Sequence, residues 1–214
     1  KVSAALGKLE IALKNFSKNI HKIEKDYDFS IRQTILDQAR DLKVVANNYH
    51  NRAYKKPMLL ISNLKNPINQ LAAKIQLEGG ARIEGVALIK PEQLLRIKID
   101  KVTQVEKGII YTKEKGGKQG EVLVSLKTYA ELENYLSLNS KFKINRQDYY
   151  NDIKQAAIIS KEVSEGSHGL RWNFAKRRMF EYGKADYTYS DSLQQVSYEM
   201  KHNRASITEH YLGG

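Results

Sequence analysis

Three short stretches near the C-terminal end carry side chains suited to chemistry on a phosphate. His168 and Arg171 stand in Ser-His-Gly-Leu-Arg, an H-x-x-R pair; His202 stands in Lys-His-Asn; Tyr211 follows His202 by nine residues. A tyrosine hydroxyl has an ordinary pKa near ~10 and attacks poorly at neutral pH unless a base and nearby cations activate it. A neutral histidine is the usual proton acceptor at that pH. A guanidinium stays charged at any working pH and offers paired N–H donors to phosphate oxygens. Each residue also has a plainer reading. His168 suits the first turn of a helix, His202 and His210 suit the surface, and Tyr211 is one of thirteen tyrosines.

Two further groups can join them from upstream. Arg82 follows Gly79-Gly80, where it reads equally as a surface cation. The run Lys113-Glu114-Lys115-Gly116-Gly117-Lys118 has hairpin character and presents three lysines at its tip.

Composition limits what these residues can be doing. The 214 residues fit one ordinary domain or two small ones, and a hydrophobic fraction of 41% supports a buried core. There is no cysteine, which excludes disulfides, thiol catalysis and Cys-zinc sites. No run of 18 apolar residues is present, and the histidines are too scattered for a local metal motif, so no metal and no cofactor is expected. No Walker loop or G-x-G-x-x-G appears. The net charge of +12 puts nucleic acid first among partners, since each neutralised phosphate releases counterions. An anionic membrane surface comes second, and a merely solubilising surface is the plainest reading.

The elements that must position the site follow from periodicity. Leu6, Leu9, Leu13, Phe16, Ile20 and Ile23 predict a helix over 2–25, and Ile31, Ile35, Ala39, Leu42 and Val45 a second over 30–49. The polar, basic stretch 51–57 reads as a linker, so a helical segment over 1–56 and a second domain over 57–214 are expected. A helix over 66–78 begins at Asn66 with Pro67 in its first turn and stops at Gly79-Gly80, and a short helical turn follows with Arg82 near its start. Strands are expected over 94–100, 104–112 and 121–126, forming a small antiparallel sheet. Further helices are expected over 128–136, 146–163, 167–183 with Ser167 as N-cap, 190–200 and 206–212. The fold class is therefore mainly α with a three-stranded antiparallel β-sheet, an α+β arrangement.

Taken in order, Arg82, a hairpin lysine, His168-x-x-Arg171, His202 and Tyr211 resemble the tyrosine recombinases, the family of phage integrases and chromosome-dimer resolvases. The stretches that carry the resemblance are GGARIEGVALIKPEQL, TKEKGGKQGEVLVS, SHGLRWNFA and MKHNRASITEHYL, within residues 66–212. The resemblance implies a catalytic domain preceded by part of a helical core-binding domain. It implies a site-specific recombinase in which Tyr211 attacks the scissile DNA phosphate and forms a 3′-phosphotyrosyl link without metal or ATP. Arg82 and Arg171 would hold the non-bridging oxygens, and His168 and His202 would donate hydrogen bonds and move protons. A hairpin lysine would protonate the leaving oxygen; Lys115 is favoured over Lys113 and Lys118. Lys113, Lys118, Lys176, Arg177, Lys201 and Arg204 are the expected DNA-facing cations. The implied partner is double-stranded DNA, bound by dimers that join into a tetramer, with accessory DNA-bending proteins and no membrane. The implied setting is a mobile genetic element in a prokaryotic cytoplasm.

Some positions depart from the family's pattern. An acid is common three residues after the first arginine, but that position is Gly85, and Glu84 stands one earlier. Lys201 precedes His202 where glycine is frequent, and the sequence stops three residues past Tyr211, short of the tail that docks on neighbouring subunits in many relatives. A type IB topoisomerase, which uses a similar set of residues, and a catalytically decayed DNA-binding protein are the competing readings.

Overall fold

In the computed structural model, residues 2–22, 26–41, 51–202 and 204–212 are described, and the chain divides into two compact units, Lys1–Tyr49 and His50–Gly214. The first unit contains α1 (Val2–Phe16), which runs into a π-helical turn over Ser17–His21, and α2 (Ile31–Asp41). Glu10 on α1 accepts from Arg32 on α2 at 3.3 Å. The helix expected over 2–25 thus ends at His21, with Lys22 in a left-handed conformation behind it. Leu9, Phe16 and Ile20 of its apolar stripe are exposed. The second helix is described to Asp41, and the remainder of its expected span lies outside the described residues.

The second unit follows the expected order closely. It comprises α3 (Pro57–Ser62), α4 (Pro67–Gly79), α5 (Ile83–Val86), β1 (Leu94–Ile99), β2 (Glu106–Lys113), β3 (Gln119–Ser125), α6 (Leu126–Leu138), α7 (Arg146–Ile159), α8 (Gly166–Lys184), α9 (Tyr189–Glu199) and α10 (Ala205–Leu212). The three strands form one antiparallel sheet in the order β1-β2-β3. In register, Lys107 faces Ser125, Ile110 faces Val122 and Lys113 faces Gln119, so the hairpin tip falls at 114–118. Mainly α with a small antiparallel sheet is the fold class observed.

Local sequence explains the boundaries. Asn66 caps α4 by accepting from the Ile68 amide at 2.9 Å, and Pro67 occupies the first turn, where its missing N–H costs nothing. Gly80 closes α4 at φ +65, a left-handed conformation that glycine adopts without a Cβ penalty. Ser125, Asn145 and Thr188 cap α6, α7 and α9 with their side chains. Ser167 does not cap α8; that helix begins at Gly166, behind Glu165.

Two apolar clusters hold the unit together. The larger joins α3, α4, β2, β3, α6 and α7 through Leu60, Ile75, Ile110, Val124, Leu132 and Ile153. The smaller joins α8, α9 and α10 through Trp172, Phe174, Val196, Met200 and Tyr211. The stretch 51–57, read as a linker, is a brace instead. Arg52 donates to the Glu165 carboxylate at 2.7 Å, and the Tyr54 hydroxyl donates to the Gly166 carbonyl at 2.9 Å. Residues from 50 onward therefore belong with the second unit, seven residues earlier than the expected boundary. Among the described residues, no helix is long and apolar enough to cross a membrane.

Candidate active site

The six residues singled out as catalytic come from five places in the chain. Arg82 precedes α5, Lys115 opens the hairpin turn, His168 and Arg171 lie one helical turn apart on α8, His202 follows α9, and Tyr211 lies on α10. Five of them converge; the side chain of Lys115 lies outside the described residues. The Tyr211 hydroxyl is 3.2 Å from His168 Nε2. The His202 ring lies 5.7 Å from the Tyr211 ring, and the Arg171 guanidinium lies 5.9 Å from the centre of that ring. Trp172, directly after Arg171, packs against Tyr211 at 5.4 Å and fixes the ring that carries the hydroxyl.

Arg171 is wholly buried. Its guanidinium donates to the backbone carbonyls of Gly80 and Met200, and its Nη2 also reaches His202 Nε2 at 2.8 Å. The carbonyls left open by the ends of α4 and α9 are thus what hold it. Burial is the main influence that lowers its pKa, and Arg82 adds to this, while Tyr211 and Glu114 oppose it.

Arg82 Nη2 meets the same His202 Nε2, also at 2.8 Å. Guanidinium N–H groups only donate, so His202 Nε2 accepts and the proton sits on Nδ1. Nδ1 is buried without a hydrogen-bond partner among the described residues. Burial first, then the charges of Arg171 and Arg82, push the His202 pKa down to about 3. Burial first, then Arg171, Arg52 and Arg82, push His168 down to about 4. Both imidazoles are neutral at pH 7, so His168 Nε2 can accept the Tyr211 proton.

The carboxylate that Arg82 holds is a residue sequence reasoning missed. Glu114, directly after β2, accepts from Arg82 Nη1 at 2.6 Å, from the Arg82 amide at 3.2 Å and from Lys201 Nζ at 3.1 Å. Burial is the largest influence on it and raises its pKa. Lys201, Arg171 and Arg82 together outweigh burial, so the carboxyl stays below its usual value. The signal in sequence was slight, a glycine at 85 beside an acid at the hairpin base. The carboxylate comes from Glu114, not from Glu84, which stands one residue before the position where an acid is common.

The expected DNA-facing cations divide. Lys113, Lys118 and Arg204 are exposed. Lys118 lies near enough for its charge to depress the His202 pKa, which brings the hairpin tip to the site. Lys176 is half-buried on α8. Lys201 is buried against Glu114 and serves the fold rather than a free cationic face, whereas Arg177, tied to the Glu78 carbonyl at 2.8 Å and to Glu181 at 3.3 Å, keeps its side chain 40% exposed. Arg178, beside them, is buried and bonded to Asp100, Glu199 and Glu181.

No family model matches the sequence, and no curated protein matches it. Solved structures match its fold. The XerH site-specific recombinase bound to a palindromic difH substrate, in a post-cleavage complex, aligns with a TM-score of 0.54 at 16% identity, over 73% of this chain and 47% of that one. Its pre-cleavage complex aligns with a TM-score of 0.53 at 16% identity, over 74% and 48%. A lambda integrase dimer bound to a COC' core site aligns with a TM-score of 0.54 at 14% identity, over 74% and 46%. The chain spans just under half the length of these proteins.

Proposed function

We propose, for a chain with the tyrosine recombinase fold, that it is a site-specific DNA recombinase of the integrase type. The observation that carries the reading is the Tyr211 hydroxyl set 3.2 Å from a neutral His168, beside two guanidiniums that converge on His202. His168 Nε2 takes the phenolic proton as the Tyr211 oxygen attacks the scissile phosphorus. The bond from phosphorus to the 5′-oxygen breaks, and the phosphate becomes a 3′-phosphotyrosyl ester. Arg82 and Arg171 turn from His202 to the two non-bridging oxygens and take up the charge that builds there. A hairpin lysine gives the leaving 5′-oxygen its proton, and Lys115 is the favoured donor. Resealing is the same path in reverse, and the ester stores the energy, so no ATP is needed.

Double-stranded DNA is the proposed partner. The +12 charge and the exposed Lys113, Lys118 and Arg204 support it, and the similar structures named above hold DNA substrates or a core site. A tetramer built from dimers and accessory DNA-bending proteins complete the proposal, in the setting of a mobile genetic element. The test is a nicked suicide duplex carrying the attachment site, identified from flanking genomic repeats. A covalent protein–DNA band on a denaturing gel, lost in Tyr211→Phe, is expected. Persistence of the band in Tyr211→Phe overturns the nucleophile. Supercoil relaxation without site preference points to a topoisomerase, and salt-dependent binding without a covalent product to a DNA-binding protein.

A further inference from the structure

The two ends of the Glu114 carboxylate do different things. Oε2 takes Arg82 Nη1 at 2.6 Å, while Oε1 takes Lys201 Nζ at 3.1 Å and the Arg82 amide at 3.2 Å. The Glu114 side chain has no solvent exposure. The other guanidinium nitrogen of Arg82 is the one on His202, and Lys201 is the residue directly before His202. One buried carboxylate therefore fixes both the cation and the backbone segment that bring the shared imidazole into place. Lys201 itself stands at φ +57, the left-handed position that closes α9, where the His202 amide donates to the Ser197 carbonyl at 2.7 Å.

Gly85 supplies the room. A Cβ at position 85 would stand 2.7 Å from Glu114 Cγ and 3.4 Å from Glu114 Oε1. A separation of 2.7 Å is inside van der Waals contact, so the volume a side chain at 85 would need is the volume the Glu114 side chain fills. Glu114 reaches this place from the base of the hairpin, where its amide donates to the Lys118 carbonyl at 2.6 Å. The hairpin tip and Arg82 are thus tied to one another through a single residue.

We propose that Glu114 is a positioning residue for the phosphate site: it aims Arg82, and with Lys201 orients His202, and Gly85 exists to admit it. The role rests on the recombinase reading only for the identity of the phosphate. Two readouts separate the two. The first is the rate of covalent attachment to the nicked duplex, measured with the duplex affinity. The second is titration of the folded protein with inorganic phosphate, followed by NMR of the His168 and His202 rings.

Glu114→Gln is expected to slow attachment at least tenfold with duplex affinity changed less than twofold, and to weaken phosphate binding at least fivefold. Gly85→Asp/Glu114→Ala returns a carboxylate to the same volume from the other side, and is expected to come within threefold of wild type in both. The double variant keeps the charge that Arg82 and Lys201 need, so it decides the matter even if Glu114→Gln does not fold. Glu114→Gln within twofold of wild type in both readouts overturns the proposal. So does a folded double variant no better than Glu114→Ala. If the wild type yields no covalent product, the recombinase reading fails, and the phosphate titration alone decides the role of Glu114.

Discussion

Lowering the pH from 7 to 5 should destabilise the second unit through His168 and His202, by an amount the site predicts. An unfolded histidine has a pKa near ~6.5, whereas the folded pair sit at about 4 and about 3. A depressed histidine means that the unfolded chain binds more protons, so stability is full above ~6.5 and falls as pH falls. His168 stops contributing to the fall below about 4 and His202 below about 3. At ~1.36 kcal/mol per pH unit for one whole proton, each group loses ~1.9 kcal/mol between pH 7 and 5 before screening. His168 is part-exposed and its share must be discounted for water, which leaves a joint loss of about 2–3 kcal/mol. The carboxyls of Glu114 and Asp100 are held below their usual values, so they titrate beneath this window. Trp172, the single tryptophan, is buried in the α8–α10 cluster and reports the unfolding of this unit. Urea titrations at pH 7, 6 and 5, read by its fluorescence, should show the loss, and His168→Asn should remove about 1 kcal/mol of it. Equal stability at pH 7 and 5, or ring signals of both histidines titrating above pH 6, would refute the reasoning.

Three substitutions probe other parts of the arrangement. His168→Gln removes the acceptor 3.2 Å from Tyr211 and should cut single-turnover attachment by ~10²–10⁴-fold without altering duplex affinity, which a rapid-quench series measures. Arg178→Met leaves Asp100 and Glu199 without their buried cation and should cost about 3–5 kcal/mol in urea unfolding. Gly80→Ala forces a Cβ to 2.4 Å from the Phe174 ring at φ +65; strain and overpacking together should cost about 2–4 kcal/mol. It should also slow attachment, because the Gly80 carbonyl holds Arg171.

The elements of the second unit were legible because each carries its own local signal. Pro67 and Gly79-Gly80 bracket α4, alternation marks the strands, and Gly116-Gly117 marks the hairpin. The five converging site residues were legible as an ordered set, not from any spacing that forces contact. Glu114 was not legible, because Lys-Glu-Lys-Gly-Gly-Lys reads as a solvated tip. Its burial depends on partners 32 and 87 residues away in sequence. Lys201 looked like a surface cation for the same reason; what buries its charge is Glu114, a partner that only the tertiary fold brings. Arg52 and Tyr54 were hidden in a polar stretch whose composition resembles a linker, yet they hold the start of α8 from more than a hundred residues away.

The way Tyr211 is held sets how easily this fold could fall silent. Its ring is locked by Trp172 and by the rings of His168, His202 and His210, while its hydroxyl meets His168 Nε2 at 3.2 Å. Removing that one oxygen forfeits roughly 1 kcal/mol. Removing the Arg171 guanidinium strands two buried carbonyls and threatens the whole unit. On the proposed recombinase reading, a lineage that gave up cutting would therefore shed the phenol oxygen first and keep both guanidiniums, retaining a protein that grips phosphate and cuts no strand.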